Sequence, residues 1–184
     1  MAKRLLLLLA PGFEEIEAIT PLDLLRRGGV EVITAALTDG PVRSAHGLTV
    51  VPDTHLDALA KERFDMVFLP GGAPGYLNLA ADARVRTLVR SQLASERPVA
   101  AICGAPFVLE EAGVLAGHRV TSYPSVRERL VSAAAWVDEA VVVDGRLRTS
   151  QGVGTAMDFA LALLEELTDR ATRDRVAKAT LVAR

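Results

Sequence analysis

Five consecutive leucines, residues 5–9, run into Ala10-Pro11-Gly12 and stop there. An apolar run that does not alternate with polar residues belongs inside a fold on every side. The Pro11-Gly12 break makes this one too short for a helix or a membrane span, so it reads as a strand buried on both faces. Strands of that kind need helices above and below their sheet.

The rest of the chain supplies them. Residues 14–27 carry a helical pattern closed by Gly28-Gly29, a pair suited to a helix C-terminus. Residues 30–36 read as a second strand. After the turn signal Asp39-Gly40-Pro41, short runs near Val42 and at 48–51 suggest a small antiparallel hairpin. Residues 65–69 form a third apolar strand closed by Pro70-Gly71-Gly72, and a helix over 82–95 follows, with Asp82 as its N-cap. Residues 99–102 make a fourth strand that ends at Cys103, with a helical stretch over 104–111 behind it. A short strand over 119–122 precedes Pro124. Runs at 140–143 and 147–149 flank Asp144-Gly145, a hairpin signal, and helices over 155–167 and 169–178 complete the chain. Alternating βα units predict an α/β fold: a doubly wound, mostly parallel sheet flanked by helices, with a small antiparallel hairpin. At 184 residues, without repeats or a linker, one domain over 1–184 is expected.

Composition narrows the function classes. Half the residues are hydrophobic and only 4% aromatic, which predicts an aliphatic core. The net charge is −2 and no basic stripe appears, so nucleic-acid binding is not expected. The leucine run lacks the length and cleavage site of a signal peptide, which makes the cytoplasm the expected compartment and no membrane the expected partner. One cysteine cannot form an intramolecular disulfide. The three histidines show no metal-ligand spacing, and His118 falls roughly 15 Å from Tyr123 at the far end of its strand. Gly152-Val153-Gly154-Thr155-Ala156-Met157 lacks the last glycine of a dinucleotide fingerprint and follows a hairpin. No phosphate-binding loop is present; no metal and no cofactor are expected.

In an open parallel sheet the ligand crevice lies beyond the C-terminal strand ends. Cys103 sits at such an end, in Pro98-Val99-Ala100-Ala101-Ile102-Cys103-Gly104-Ala105-Pro106. A strand that turns sharply into a helix projects its turn residue above the sheet, and small neighbours relieve the crowding there. The helix behind Cys103 is expected to favour thiolate and lower the thiol pKa. The N–H of Gly104 would be one oxyanion donor, and Gly71-Gly72 could bring a second near the sulfur. In the first helix both Glu15 and Glu17 have uncharged helical neighbours, and periodicity does not choose between them.

The stretches Ala10-Pro11-Gly12-Phe13-Glu14-Glu15-Ile16-Glu17, Leu69-Pro70-Gly71-Gly72, Ala100-Ala101-Ile102-Cys103-Gly104-Ala105-Pro106 and Thr149-Ser150-Gln151-Gly152-Val153-Gly154-Thr155 together resemble the parkinsonism-associated deglycase (DJ-one) branch of the ThiJ/PfpI superfamily. The resemblance spans essentially the whole chain. It implies a flavodoxin-like, class I glutamine amidotransferase-like fold. It also implies that Glu17 is the buried acid, held protonated and bonded to the Cys103 sulfur, with Gly72 and Gly104 as backbone donors and Gly71 and Tyr123 lining the pocket. A homodimer is implied too, with the first helix and the 42–51 hairpin at or near the contact. Two positions depart from the pattern. Hydrolytic relatives carry histidine where Gly104 stands, which disfavours a cysteine peptidase or amidotransferase. Many close relatives carry histidine at the position of Tyr123, and a tyrosine is a poor base at neutral pH. His46 falls where the family uses an arginine near the dimer contact.

Two functions follow from the resemblance. One is a cofactor-free enzyme, glyoxalase- or deglycase-type, whose Cys103 thiolate attacks a small reactive carbonyl such as methylglyoxal or an early adduct on a glycated protein. The other is a redox-sensing or chaperone-like homodimer in which Cys103 is oxidised to sulfinate without a resolving cysteine.

Overall fold

A computed structural model describes residues 2–182. A seven-stranded sheet forms its centre, in the order β10-β11-β7-β6-β1-β2-β5. The strands are β1 (Arg4–Leu9), β2 (Glu31–Ala36), β5 (Thr54–His55), β6 (Met66–Leu69), β7 (Val99–Ile102), β10 (Val141–Asp144) and β11 (Leu147–Ser150). All neighbours are parallel except β10, which pairs antiparallel with β11 across the Asp144-Gly145 turn. The small hairpin forms as expected from β3 (Val42–Arg43) and β4 (Thr49–Val50), antiparallel to each other.

The leucine run explains the layering. Successive side chains of a strand point to opposite faces. Leu5, Leu7 and Leu9 join one apolar cluster with Met66, Phe68, Ala100 and Ile102. Leu6 and Leu8 join a second with Val67, Leu69, Val99 and Ala101. Helices α1 (Glu15–Arg27), α5 (Ala156–Leu167) and α6 (Arg170–Ala179) cover the first face. The second is covered by α2 (Gly75–Ala81), α3 (Ala83–Ala94) and α4 (Pro106–Glu111). Full burial of a leucine contributes about 1.5–3 kcal/mol, so the run anchors both helical layers from the middle of the sheet.

Several local features differ from expectation, among them the unexpected edge strand β5. Helix α2 was not foreseen: the Gly71-Gly72-Ala73-Pro74 lead-in reads as a loop, and its buried positions Gly75, Leu79 and Ala80 span little more than one turn. The strand expected over 119–122 is only β8 (Arg119–Val120), and it leaves the main sheet to pair in parallel with β9 (Ala135–Trp136). Helix α4 begins at Pro106 rather than 104 and is six residues long. Among the described residues no helix is long and apolar enough to cross a membrane.

Candidate active site

Strand β7 lies between β6 and β11, so Cys103 emerges near the middle of the sheet's C-terminal edge. Its φ of 63° is left-handed, a conformation that costs a non-glycine residue about 1–3 kcal/mol. Neighbouring backbone holds it there. The Cys103 N–H donates to the Ser150 carbonyl at 2.9 Å, and the Tyr123 N–H donates to the Cys103 carbonyl at 2.9 Å. The sharp elbow expected from the sequence is formed, with the side chain half-buried.

Glycines make the crowding tolerable. A Cβ on Gly104 would lie 2.5 Å from Cδ1 of Tyr76, and one on Gly71 would lie 2.6 Å from Cβ of Cys103. Gly72 has a φ of +90°, and a Cβ there would meet the Glu14 nitrogen at 2.2 Å. The backbone N–H groups of Gly72 and Gly104 lie close enough to the sulfur to pull the thiol pKa down.

Helix α1 turns Glu17, not Glu15, towards this sulfur. Glu17 is fully buried, and its Oε2 accepts a hydrogen bond from the Gly71 N–H at 3.0 Å. Its Oε1 is buried with no aligned hydrogen-bond partner among the described residues. Desolvation, opposed by the neighbouring Cys103 thiol and aided by the charge of Glu14, pushes its pKa up to about 7. Glu15 takes a different part: its carboxylate accepts from the Ser44 hydroxyl and the His46 N–H and approaches His46 Nδ1 at 2.9 Å. Burial works against ionisation there, but those hydrogen bonds prevail and hold Glu15 down to about 2.

The thiol behaves differently from the sequence expectation. Burial, then the charge and hydrogen bond of Glu17, push Cys103 up to about 12 against the two glycine N–H groups. Both Glu17 contributions depend on its being ionised; a protonated Glu17 removes the charge and offers the sulfur a donor instead. Thiol and carboxyl are therefore one coupled unit, and a single proton shared between them gives either thiol with carboxylate or thiolate with carboxylic acid.

A cleft of about 590 Å³ opens over the pair, within the range of small-molecule sites. Cys103, Glu17, Gly72 and Tyr123 line it. Tyr123 stands at the mouth, half-exposed. Gly71 does not line the cleft; it is buried behind the carboxyl that it holds. Sequence reading missed Glu14, Asp138 and the 151–155 loop on the walls. A Cβ on Gly152 would stand 3.6 Å from Glu17 Oε1 and 4.0 Å from the sulfur. The strand-terminal position of Gln151-Gly152 was a usable signal, but only β11 lying beside β7 brings it to the sulfur. His118 lies by Asp144, 3.6 Å from its carboxylate at the other end of the strands, and takes no part.

A helix-covered, mostly parallel sheet with a cysteine elbow at the end of a central strand, faced by a buried glutamate, defines the DJ-1-fold class. The chain belongs to the DJ-1/PfpI family, whose sequence model matches residues 3–166. Protein dj-1beta of Drosophila melanogaster is 44% identical over 185 residues, covering 100% of this chain and 99% of that one. The crystal structure of Drosophila melanogaster DJ-1beta matches with a TM-score of 0.97 over 100% of both chains. The glutathione-independent glyoxalase DJR-1.2 of Caenorhabditis elegans is 38% identical over 167 residues, 90% of this chain and 89% of that one. Oxidized Toxoplasma gondii DJ-1 matches with a TM-score of 0.92 and 32% identity over 98% of both chains.

Proposed function

We propose that the chain is a cofactor-free, glyoxalase- or deglycase-type enzyme that acts on small reactive carbonyls through Cys103. One observation carries the reading: a fully buried Glu17, with a pKa of about 7, faces the only cysteine at the floor of an open cleft. A carboxyl with that pKa can both take and give a proton at neutral pH.

Methylglyoxal illustrates the step. Glu17 carboxylate takes the thiol proton as sulfur bonds to the aldehyde carbon, and the carbonyl pair moves to oxygen beside the N–H groups of Gly72 and Gly104. Glu17 returns its proton to that oxygen, giving a hemithioacetal. The same carboxylate then removes the hydrogen from the former aldehyde carbon as the adjacent carbonyl oxygen gains a proton, giving an enediol. The acid so formed protonates the adjacent carbon while the hydroxyl on the sulfur-bearing carbon gives up its proton and becomes the thioester carbonyl. One carbon is oxidised and its neighbour reduced, so no external oxidant enters. Water cleaves the resulting thioester to lactate and free thiol. The glyoxalase name of the Caenorhabditis elegans relative supports this chemistry.

The test is lactate formation from methylglyoxal by the wild type, Cys103→Ser and Glu17→Gln. Turnover lost in both variants upholds the reading, and turnover that survives both overturns it.

A second reading, redox sensing, draws on the lone cysteine and its acid: peroxide oxidation would stop at a sulfinate hydrogen-bonded by Glu17. Intact mass after graded peroxide separates the two, since a stable gain of two oxygens without carbonyl turnover belongs to the sensor alone. The homodimer expected from the resemblance is supported by exposed Ile16 on α1 and by exposed Leu48 and Val51 flanking β4.

A further inference from the structure

The cleft over Cys103 carries three acids, Glu14, Glu17 and Asp138, and no lysine, arginine or histidine among its lining residues. Glu14 is nine-tenths buried, and its charge already raises the pKa of Glu17. The His46 ring approaches it at 3.3 Å from outside the cleft, but the same nitrogen lies 2.9 Å from Glu15. One imidazole thus faces two carboxylates, and the cluster stays negative even with His46 protonated. Asp138 is exposed on the rim, where its Oδ1 accepts from the Gln151 amide at 2.6 Å. That neutral donor leaves the charge of Asp138 uncompensated.

A substrate bearing its own carboxylate or phosphate beside the carbonyl would enter against these acids with no cation to pair with. Attack by a thiolate moves its negative charge onto the carbonyl oxygen, next to the anionic group that such a substrate already carries. Fields in a narrow cleft with low-dielectric walls are stronger than on an open surface. An uncharged oxoaldehyde meets no such barrier, and a carbonyl adduct on a cationic side chain would be drawn in.

We propose that this cleft selects uncharged or cationic carbonyl compounds and rejects anionic ones, with Glu14 and Asp138 setting the discrimination. The proposal rests on Cys103 being the nucleophile of the reading above, but it concerns the field at the sulfur and can be read without turnover.

Competitive alkylation by iodoacetamide and iodoacetate provides the test, because the two reagents are nearly equal in size and differ by one negative charge. Their adducts at Cys103 are quantified by peptide mass spectrometry, in low salt near pH 7, against N-acetylcysteinamide as a neutral reference thiol. The wild type is expected to favour iodoacetamide on the order of tenfold more than the reference does, and 0.5 M salt should shrink that excess. Asp138→Asn and Glu14→Gln should each reduce it severalfold. Gln151→Arg, which adds a cation while leaving both acids in place, should reduce it further and covers the case in which Glu14→Gln fails to fold. A wild-type ratio equal to the reference, or one that Gln151→Arg does not move, overturns the proposal. Absence of either adduct also overturns it, since an unreachable sulfur selects nothing. Failure of methylglyoxal turnover with the ratio intact would instead count against the enzymatic reading alone.

Discussion

The ring of Tyr76 occupies the space that a side chain on Gly104 would fill: a Cβ there would lie within 2.8 Å of three ring atoms. The ring is fixed from behind, edge-on to Phe107, and its hydroxyl accepts from Arg129 at 3.1 Å. The packing of α2 against the elbow leaves no room for a side chain at this position. Gly104→Ala should destabilise the protein by about 1–3 kcal/mol through overpacking. In a Tyr76→Leu background the same substitution should cost markedly less. Urea unfolding of the two single variants and the double variant checks the coupling.

Glu17 should make the fold less stable as pH rises. Its carboxyl keeps its proton to about pH 7 in the native state, against an ordinary value of 4.5. Between those values the native chain holds a proton that the unfolded chain has released, so stability present below pH 4.5 is lost as pH climbs through 7. The shift corresponds to on the order of 3 kcal/mol. Glu17→Gln lacks the titration, so its stability relative to wild type should improve by about that amount between pH 4.5 and pH 8. Denaturant unfolding at the two pH values measures it.

The thiol should respond to the same substitution. Burial leads the upward shift of Cys103 to about 12, and the ionised Glu17 adds to it. Removing that charge should bring the apparent pKa down and speed alkylation between pH 8 and 9, at least severalfold. The pH profile of iodoacetamide alkylation, wild type against Glu17→Gln, gives the answer. Slower alkylation in the variant would mean that the protonated acid, as a donor to sulfur, outweighs the charge of its conjugate base.

Gly152 should separate function from folding. Its backbone is extended, and an added Cβ would find only ordinary contacts, 3.6 Å from Glu17 Oε1 and from Tyr123 Cδ2. Gly152→Ala should leave stability within about 0.5 kcal/mol. The methyl group would stand in the cleft beside the sulfur, so kcat/KM for methylglyoxal should fall on the order of tenfold. Thermal unfolding and steady-state kinetics test the two halves together.

Much of this arrangement could be read from residue order. The apolar runs at 5–9 and 65–69 indicated buried strands, and the small residues after Cys103 indicated an elbow. Composition and spacing could not choose between Glu15 and Glu17, because both face uncharged neighbours along their own helix. Only the family resemblance chose, and in the fold Glu15 turns to Ser44 and His46 while Glu17 turns inward. The thiol pKa was misjudged for a related reason. Helix dipoles can be inferred from local sequence, whereas desolvation depends on everything packed around a group. Asp138 and Gln151 were missed because their place on the wall follows from strand order, which local patterns do not encode.

The seat of Cys103 is finished late. Its amide is tied to Ser150, and β11 inserts beside β7 from nearly fifty residues downstream. During synthesis the strand that bears the sulfur therefore waits as an open edge until residues 147–150 have left the ribosome. Cys103 acquires its strained posture only when most of the polypeptide is already in place, and any fragment ending earlier would lack both the carbonyl that ties its amide and the 151–155 wall of the cleft.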